Sequence, residues 1–102
     1  GEDVLVAMGD AYAELLKDRR LLLLQIQAHA AATSIPEVRD ATRDGFRRLV
    51  ELAQRESGAP AEQIQAFFAT GMLMNVLSAI DAPEVDEPWA RLLMCGLKPE
   101  DR

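Results

Sequence analysis

The sequence has few of the residues that build stapled or metal-binding folds, because its 102 residues include one cysteine and one histidine. A single cysteine, Cys95, excludes an internal disulfide and a paired-cysteine metal or redox site. His29 has no companion ligand at metal-binding spacing, so it cannot assemble the three or four ligands of a zinc site. We therefore expect no metal and no cofactor, and the unpaired thiol favours a cytoplasmic location.

Catalytic motifs are also absent from the sequence. There is no Gly-x-Ser-x-Gly elbow, no His-Glu-x-x-His motif and no glycine-rich phosphate loop. Cys95 has only the distant His29 as a dyad partner, and a thiol near the end of an apolar helix usually packs as a small hydrophobic group. We expect that the protein is not an enzyme, since an enzyme using Cys95 would need an acid or base beside that thiol.

Positive charge is scarce, with 11 Lys and Arg against 17 Asp and Glu, for a net charge of −6. Binding to duplex DNA needs clustered basic residues, so this balance argues against direct contact with nucleic acid. The arginines of the middle segment alternate with acidic residues and are expected to form a solvated helix face. The longest uncharged run, residues 63–80, contains too many polar side chains and is too short for a confident membrane span.

Leucine and alanine dominate the 49% of hydrophobic residues, while aromatic residues make up only 5%, and this mixture favours helix over strand. Helical spacing of apolar residues predicts five segments, at residues 3–17, 20–33, 34–58 and 61–80 and from residue 89 onward. The length suits one domain, residues 1–102. The sequence starts at Gly1 rather than Met, and no signal peptide opens it, so we expect a fragment with further residues upstream.

The start of the third helix carries a local signal. Ser34 and Glu37 have the spacing of a capping box, with Pro36 in the first turn, which predicts that the third helix starts at Ser34. Its inner stripe is expected to include Phe46, Leu49 and either Leu52 or Ala53. The second segment is apolar all round, and such a helix is normally buried, so it is predicted to be the central helix of the bundle.

The fourth segment is apolar on two opposite faces when its residues are placed about 100° apart. One face carries Phe68, Gly71, Asn75 and Ser78, with Phe67 and Met74 beside them. The other carries Leu73, Val76 and Ile80, which offers the chain its own core contact. We therefore predict that the strip of small residues contacts a second copy, with Asn75 bonding its symmetry mate. The alternative is close approach by a helix of the same chain.

Other side chains leave their roles open. His29 and Gln25 lie one turn apart, either as polar groups of a buried ligand cavity or as a pair that reaches solvent or the backbone. Trp89, the only tryptophan, either anchors an interface or locks the last helix onto its own bundle. The remaining candidates could line a cavity or form ordinary core, and they are Tyr12, Phe46, Phe68, Met72 and Met74.

Three stretches together resemble the C-terminal regulatory domain of TetR-type transcriptional repressors, particularly those of actinobacteria. They are LLLLQIQAHAA at residues 21–31, PEVR at 36–39 and FFATGMLMNVL at 67–77. The resemblance covers nearly the whole chain. It implies an all-α five-helix bundle that dimerizes through a four-helix interface and houses a pocket for a small apolar effector. DNA would be bound only by an N-terminal helix-turn-helix domain, which this chain lacks.

The resemblance also assigns residues to both roles. The dimer seam implied by the family lies on the last helices, at Phe67, Gly71, Met74, Asn75, Ser78, Trp89, Leu92 and Leu93. The effector pocket implied by the family lies among the earlier helices, at Tyr12, Leu22, Ile26, His29, Phe46 and Met72. The competing hypothesis is a free-standing homodimeric interaction module without a ligand. Solid packing beside Gln25 and His29, with no cavity above about 300 Å³, would favour it.

Overall fold

The structure, a computed structural model, describes residues 2–97, so residues 1 and 98–102 of the predicted domain lie outside it. Within that range the chain is helical and has no strand. The elements are α1 (Glu2–Leu15), α2 (Arg19–Ala32), α3 (Pro36–Ser57), α4 (Ala61–Ala79) and α5 (Pro88–Met94), with a 3-10 turn at Ala82–Glu84 before α5. The predicted all-α class with five helices is confirmed.

Helix boundaries follow local chemistry, with one correction. Asp18 precedes α2, and its side chain accepts a hydrogen bond of 3.0 Å from the Arg20 amide, as an N-cap does. The residue that caps α3 is Ile35, which makes no side-chain bond, so the predicted capping box of Ser34 and Glu37 does not form. Pro36, whose ring fixes φ in the helical range, begins the helix instead.

The core joins three helices. Leu5 of α1, Ala53 of α3 and Ile64 of α4 form a buried cluster, with Phe67 and Phe68 packed against it. Both α1 and α2 contact α3 and α4, so the α3–α4 pair is the support on which the first two helices lie. No helix in residues 2–97 is long and apolar enough to cross a membrane.

The prediction that α2 is the buried central helix is wrong. Leu22 is 2% exposed, but Leu23 and Leu24 are 55% and 63% exposed. The helix contacts α3 and α4, and Gln25 bonds to Tyr12 beside α1, yet Leu21, Leu23 and Leu24 stay exposed. An apolar circumference therefore does not mark a central position in this bundle.

The inner side of α3 is predicted only in part. Ala53 and Ser57 are buried and Phe46 is half-buried, but Leu49 and Leu52 are exposed. The Ser57 hydroxyl donates to the Ala53 carbonyl at 2.6 Å and accepts from the Ala59 amide at 3.1 Å. These bonds close the turn that leads from α3 to α4.

Candidate functional site

The two faces of α4 have opposite environments. Ile64 and Asn75 are buried on the face turned toward α1 and α3, with Phe68 and Gly71 half-buried beside them. On the other face Ala69, Met72, Val76 and Ile80 form an exposed stripe, at positions that share one side of a helix. We call these four residues the outer stripe. Val76 and Ile80 are 57% and 55% exposed, although valine and isoleucine are among the residues most often buried.

Gly71 and Asn75, which the sequence placed at a dimer seam, contact α1 of the same chain, and the seam itself stays a prediction. Asn75 is 5% exposed, and its Oδ1 accepts a hydrogen bond of 2.5 Å from the Tyr12 hydroxyl of the same chain. A Cβ atom built on Gly71 would lie 3.8 Å from Tyr12 Cε2. The small residue therefore admits the Tyr12 ring of α1 rather than a helix of a second copy, which is the alternative interpretation of the strip.

The other seam residues predicted on α4 lie on the same side as Gly71 or next to it. Phe67 is half-buried and packs against the core cluster, and Met74 is half-buried near it in the cleft between α1 and α4. Ser78 is half-buried, and its carbonyl accepts a hydrogen bond from Arg19. A partner helix reaches these three residues only in part, because α1 and α2 already occupy much of that side.

The predicted seam residues of α5 are exposed. Trp89, Leu92 and Leu93 are 44%, 73% and 38% exposed, and the Trp89 indole donates a hydrogen bond of 2.9 Å to Glu87 Oε2. Ala90 is the buried residue of this short helix. The tryptophan does not fill the interior of its own bundle, so its role at an interface stays a prediction.

The six residues predicted to form the effector pocket do not share one cavity. Leu22 is buried, whereas Ile26 and Met72 are exposed. The His29 ring packs at a tilt against Phe46 with ring centroids 5.8 Å apart, and the centroid of Phe46 lies 6.3 Å from that of Phe68. This aromatic row joins α2, α3 and α4 near the predicted pocket, which stays a prediction.

Among the clefts that residues 2–97 form, two open ones border α1. One, of about 290 Å³, lies between α1 and α2, and the Tyr12 and Gln25 side chains line it among leucines. The other, of about 320 Å³, lies between α1 and α4 and extends to Gly96 and Leu97. Tyr12 is the one predicted pocket residue that lines either of these clefts.

A chain of polar side chains links the first cleft to α4. Gln25 Nε2 donates to the Tyr12 hydroxyl at 2.8 Å, and that hydroxyl donates to Asn75 Oδ1. Asn75 Nδ2 lies 4.0 Å from Met72 Sδ, one turn earlier on α4. Sequence reasoning singled out all four residues but did not connect them, because Tyr12 and Asn75 are 63 positions apart.

Two arginines have a structural role that the sequence did not suggest. The Arg19 guanidinium donates to the Ser78 and Ala79 carbonyls at 3.2 and 3.3 Å, and Arg39 donates to the Ala32 and Thr33 carbonyls at 2.9 and 3.1 Å. Both therefore satisfy carbonyl groups at helix C-termini, where cations are favourable. The only available signal was that α4 has no basic residue in its own last turn.

The electrostatically organised part of the surface is on α3, away from the clefts. Arg47 donates to Asp44 Oδ1 at 2.6 Å and to Glu51 Oε1 at 3.0 Å. The hydrogen bond from Arg47, together with the charges of Arg48 and Arg47, holds the pKa of Asp44 below its usual value, although desolvation opposes them. These side chains are largely exposed, as the predicted solvated face requires.

No three His, Cys, Asp or Glu residues within positions 2–97 come together as a metal site would require. No family model matches this chain, and no curated protein or solved structure matches it either. The outer stripe of α4 and the cleft between α1 and α2 are therefore the two candidate sites that rest on the geometry.

Proposed function

We propose that this chain is a dimerization and effector-sensing domain of a TetR-type transcriptional regulator, and that it pairs through the outer stripe of α4. The observation that carries the dimer is the exposure of Met72, Val76 and Ile80 along one face of a helix whose other face is buried. The regulator role is supported by the sequence resemblance, and the structure adds only an all-helical frame of the right kind.

A second copy is the proposed occupant of the outer stripe because the stripe is apolar and continuous and carries no charge. Positions 69, 72, 76 and 80 recur three or four residues apart, as the contact residues of a helix–helix seam do. A two-fold interface uses the same stripe on both copies, so the contact buries each exposed side chain in both copies. Fully burying an aliphatic side chain of this size contributes roughly 1.5–3 kcal/mol.

Trp89, Leu92 and Leu93 of α5 extend the proposed interface beyond α4. A stable interface covers about 800 Å² on each partner, which is more than four side chains of one helix supply. Tryptophan is also among the residues that most often dominate the energy of an interface. We therefore propose that the α5 part of the predicted seam is retained while the α4 part moves from the Gly71 face to the outer stripe.

Sedimentation velocity of the 102-residue chain tests the dimer. We expect a dimer at micromolar concentration, and a monomer with unchanged helix content when Ile80→Glu places a charge in the seam. Leu23→Glu is the matched control, because Leu23 and Ile80 are each 55% exposed but Leu23 lies on α2. A monomeric wild type, or a dimer lost in Leu23→Glu and kept in Ile80→Glu, would contradict the proposed seam.

In the proposed regulator, the dimer sets the distance between two attached DNA-binding heads. Helix-turn-helix dimers read two half-sites about one helical turn of DNA apart, so a small change in pairing alters operator binding. An effector would shift the equilibrium between two arrangements of the bundle by binding one of them more tightly.

The second candidate is a homodimeric helical interaction module without a ligand. The observation that favours it is the contact between His29 and Phe46, because packing beside Gln25 and His29 is what a module without a ligand predicts. It differs from the first candidate in one measurable property, because a module without a ligand has no saturable small-molecule site in either cleft.

A further inference from the structure

The cleft between α1 and α2 combines a leucine-rich wall with two hydrogen-bonding side chains. Leu15, Leu16, Leu21 and Leu24 surround Tyr12 and Gln25. Its volume of about 290 Å³ is just below the usual range of about 300–1,000 Å³ for small-molecule sites, which are mostly apolar with a few placed polar groups. Leu24 is 63% exposed, so an occupant would remove a large apolar surface from water.

Among residues 2–97, no charged side chain lines this cleft. A charged ligand would lose its hydration there without gaining a counter-ion, which is unfavourable. An uncharged molecule with an apolar body gains contact with the leucines. Within residues 2–97 the Gln25 side chain makes one hydrogen bond, through Nε2 to Tyr12, so its Oε1 can accept a bond from a ligand hydroxyl.

A ligand that bonds to this pair competes with an existing bond inside the protein. The Tyr12 hydroxyl has one hydrogen, which it donates to Asn75 Oδ1, and it accepts from Gln25. A ligand oxygen that takes the hydrogen, or one that withdraws Gln25, changes the bond that orients the buried Asn75. Asn75 Nδ2 faces the sulfur of Met72, which belongs to the outer stripe.

We infer that the cleft between α1 and α2 binds an uncharged, largely apolar small molecule through Tyr12 and Gln25, and that the Tyr12–Asn75 bond transmits its binding to Met72. The inference rests on the proposed effector-sensing function and deepens it. It moves the site from the predicted region around His29 to the other side of Gln25, and it names the connection between the ligand and the proposed dimer face.

The probe for the first half is 2-naphthol, which has an apolar two-ring body and one hydroxyl. Tyr12 is the only tyrosine, so uniform labelling with 3-fluorotyrosine gives one ¹⁹F signal that reports the cleft. We expect a saturable shift in wild type and an affinity about three- to tenfold lower in Gln25→Leu, as loss of one hydrogen bond predicts. Gln27→Leu, an exposed neighbour outside the cleft, should bind as wild type does.

A non-saturable ¹⁹F response, or equal affinity in Gln25→Leu and wild type, would overturn the binding site.

The second half of the inference, transmission to Met72, is tested with chain labelled with ¹³C at the methionine methyl groups. We expect the Met72 methyl signal to move with the same apparent Kd as the ¹⁹F signal, while the Met94 signal on α5 stays in place. In Asn75→Ala, which keeps Tyr12 and its label, the probe should still bind but should no longer move the Met72 signal, and an undiminished movement there would overturn the connection.

Sedimentation of the same samples measures whether the chain is a monomer or a dimer, so the ligand site and the proposed dimer are tested separately. Saturable binding with the Met72 response in a chain that stays monomeric supports this inference and contradicts the proposed dimer. A dimer whose ¹⁹F signal does not respond saturably contradicts this inference and leaves the dimer intact.

Discussion

The Tyr12 hydroxyl donates a hydrogen bond of 2.5 Å to Asn75 Oδ1, and this contact joins α1 to the buried face of α4. It decides which face of α4 is interior. A helix that is apolar on both faces has no preferred orientation from hydrophobicity alone, whereas a buried amide needs a partner. Tyr12 supplies that partner, and Gln25 supplies the second bond to the same hydroxyl at 2.8 Å.

Removing the hydroxyl should therefore weaken the fold. Tyr12→Phe leaves Asn75 Oδ1 buried without its donor, and such a group costs roughly 1–3 kcal/mol. We expect the free energy of unfolding to fall by about 2 kcal/mol in urea titrations at a fixed protein concentration. The double variant that also carries Asn75→Ala should lose less free energy of unfolding than the two single variants lose together. Additive losses would show that the two side chains do not depend on each other.

Gly71 provides an independent test of the same contact. Its added Cβ would lie at an ordinary distance of 3.8 Å from the Tyr12 ring, so Gly71→Ala should be tolerated and should stabilise the helix by about 0.5–1 kcal/mol. The longer side chain of Gly71→Leu has to enter the ring of Tyr12 and should destabilise by about 1–3 kcal/mol. Thermal unfolding of both variants measures the expected gain of stability in Gly71→Ala and the expected loss in Gly71→Leu. If Gly71→Leu folds as stably as wild type but dissociates, the Gly71 face is the seam after all.

The helices were predictable from the sequence because their ends carry strong local signals. Pro36, Gly58 and Pro60 separate the three longest apolar patterns, and each structural boundary lies close to the expected one. Ser34 failed as a cap because the chain enters α3 through Ile35 and Pro36. Such boundaries depend on a few neighbouring residues, which the sequence displays directly.

The orientation of the helices was not predictable in the same way. Along α4 the apolar residues surround the axis, so the pattern fits either face inward, and the Tyr12–Asn75 bond that decides between them is not local. The same holds for α2, where Leu22 is buried and Leu23 and Leu24 are exposed although all three are leucines. The predicted pocket depends on the same non-local packing, and of its six residues Tyr12 alone lines the cleft between α1 and α2.

Gly45 inside α3 and Gly58 just after its last residue should respond to alanine substitution with opposite changes in stability. Gly58 ends the helix with φ of +63°, a left-handed conformation that costs a side-chain-bearing residue roughly 1–2 kcal/mol. Gly45 lies inside the helix with nothing within 4 Å of an added Cβ, so Gly45→Ala should stabilise by about 0.5–1 kcal/mol. Each variant is the control for the other in one series of thermal melts. Equal effects of the two substitutions would contradict the left-handed cap.

Acid should weaken the charge cluster on α3 through Asp44. Its pKa is lowered in the folded protein, first by the hydrogen bond from Arg47, whereas the usual value is 3.8. A group whose folded pKa is depressed stabilises the fold above its unfolded pKa and loses that contribution as the pH falls through the folded value. Asp44→Asn should therefore be less stable than wild type at neutral pH. The difference should shrink below about pH 4 and vanish in stronger acid.

Because the bond from Arg47 has the largest effect on Asp44, Arg47→Gln should flatten the pH profile of stability between neutral pH and pH 3 almost as much as Asp44→Asn does. Arg48→Gln is the matched control on the same helix. Arg48 acts on Asp44 mainly through its charge, at 3.0 Å, so most of the profile should survive its loss. The measurement is urea unfolding at a series of pH values in constant salt, since screening weakens exposed pairs. Equal flattening by Arg47→Gln and Arg48→Gln would assign the effect to the general charge of the face rather than to the Arg47–Asp44 bond.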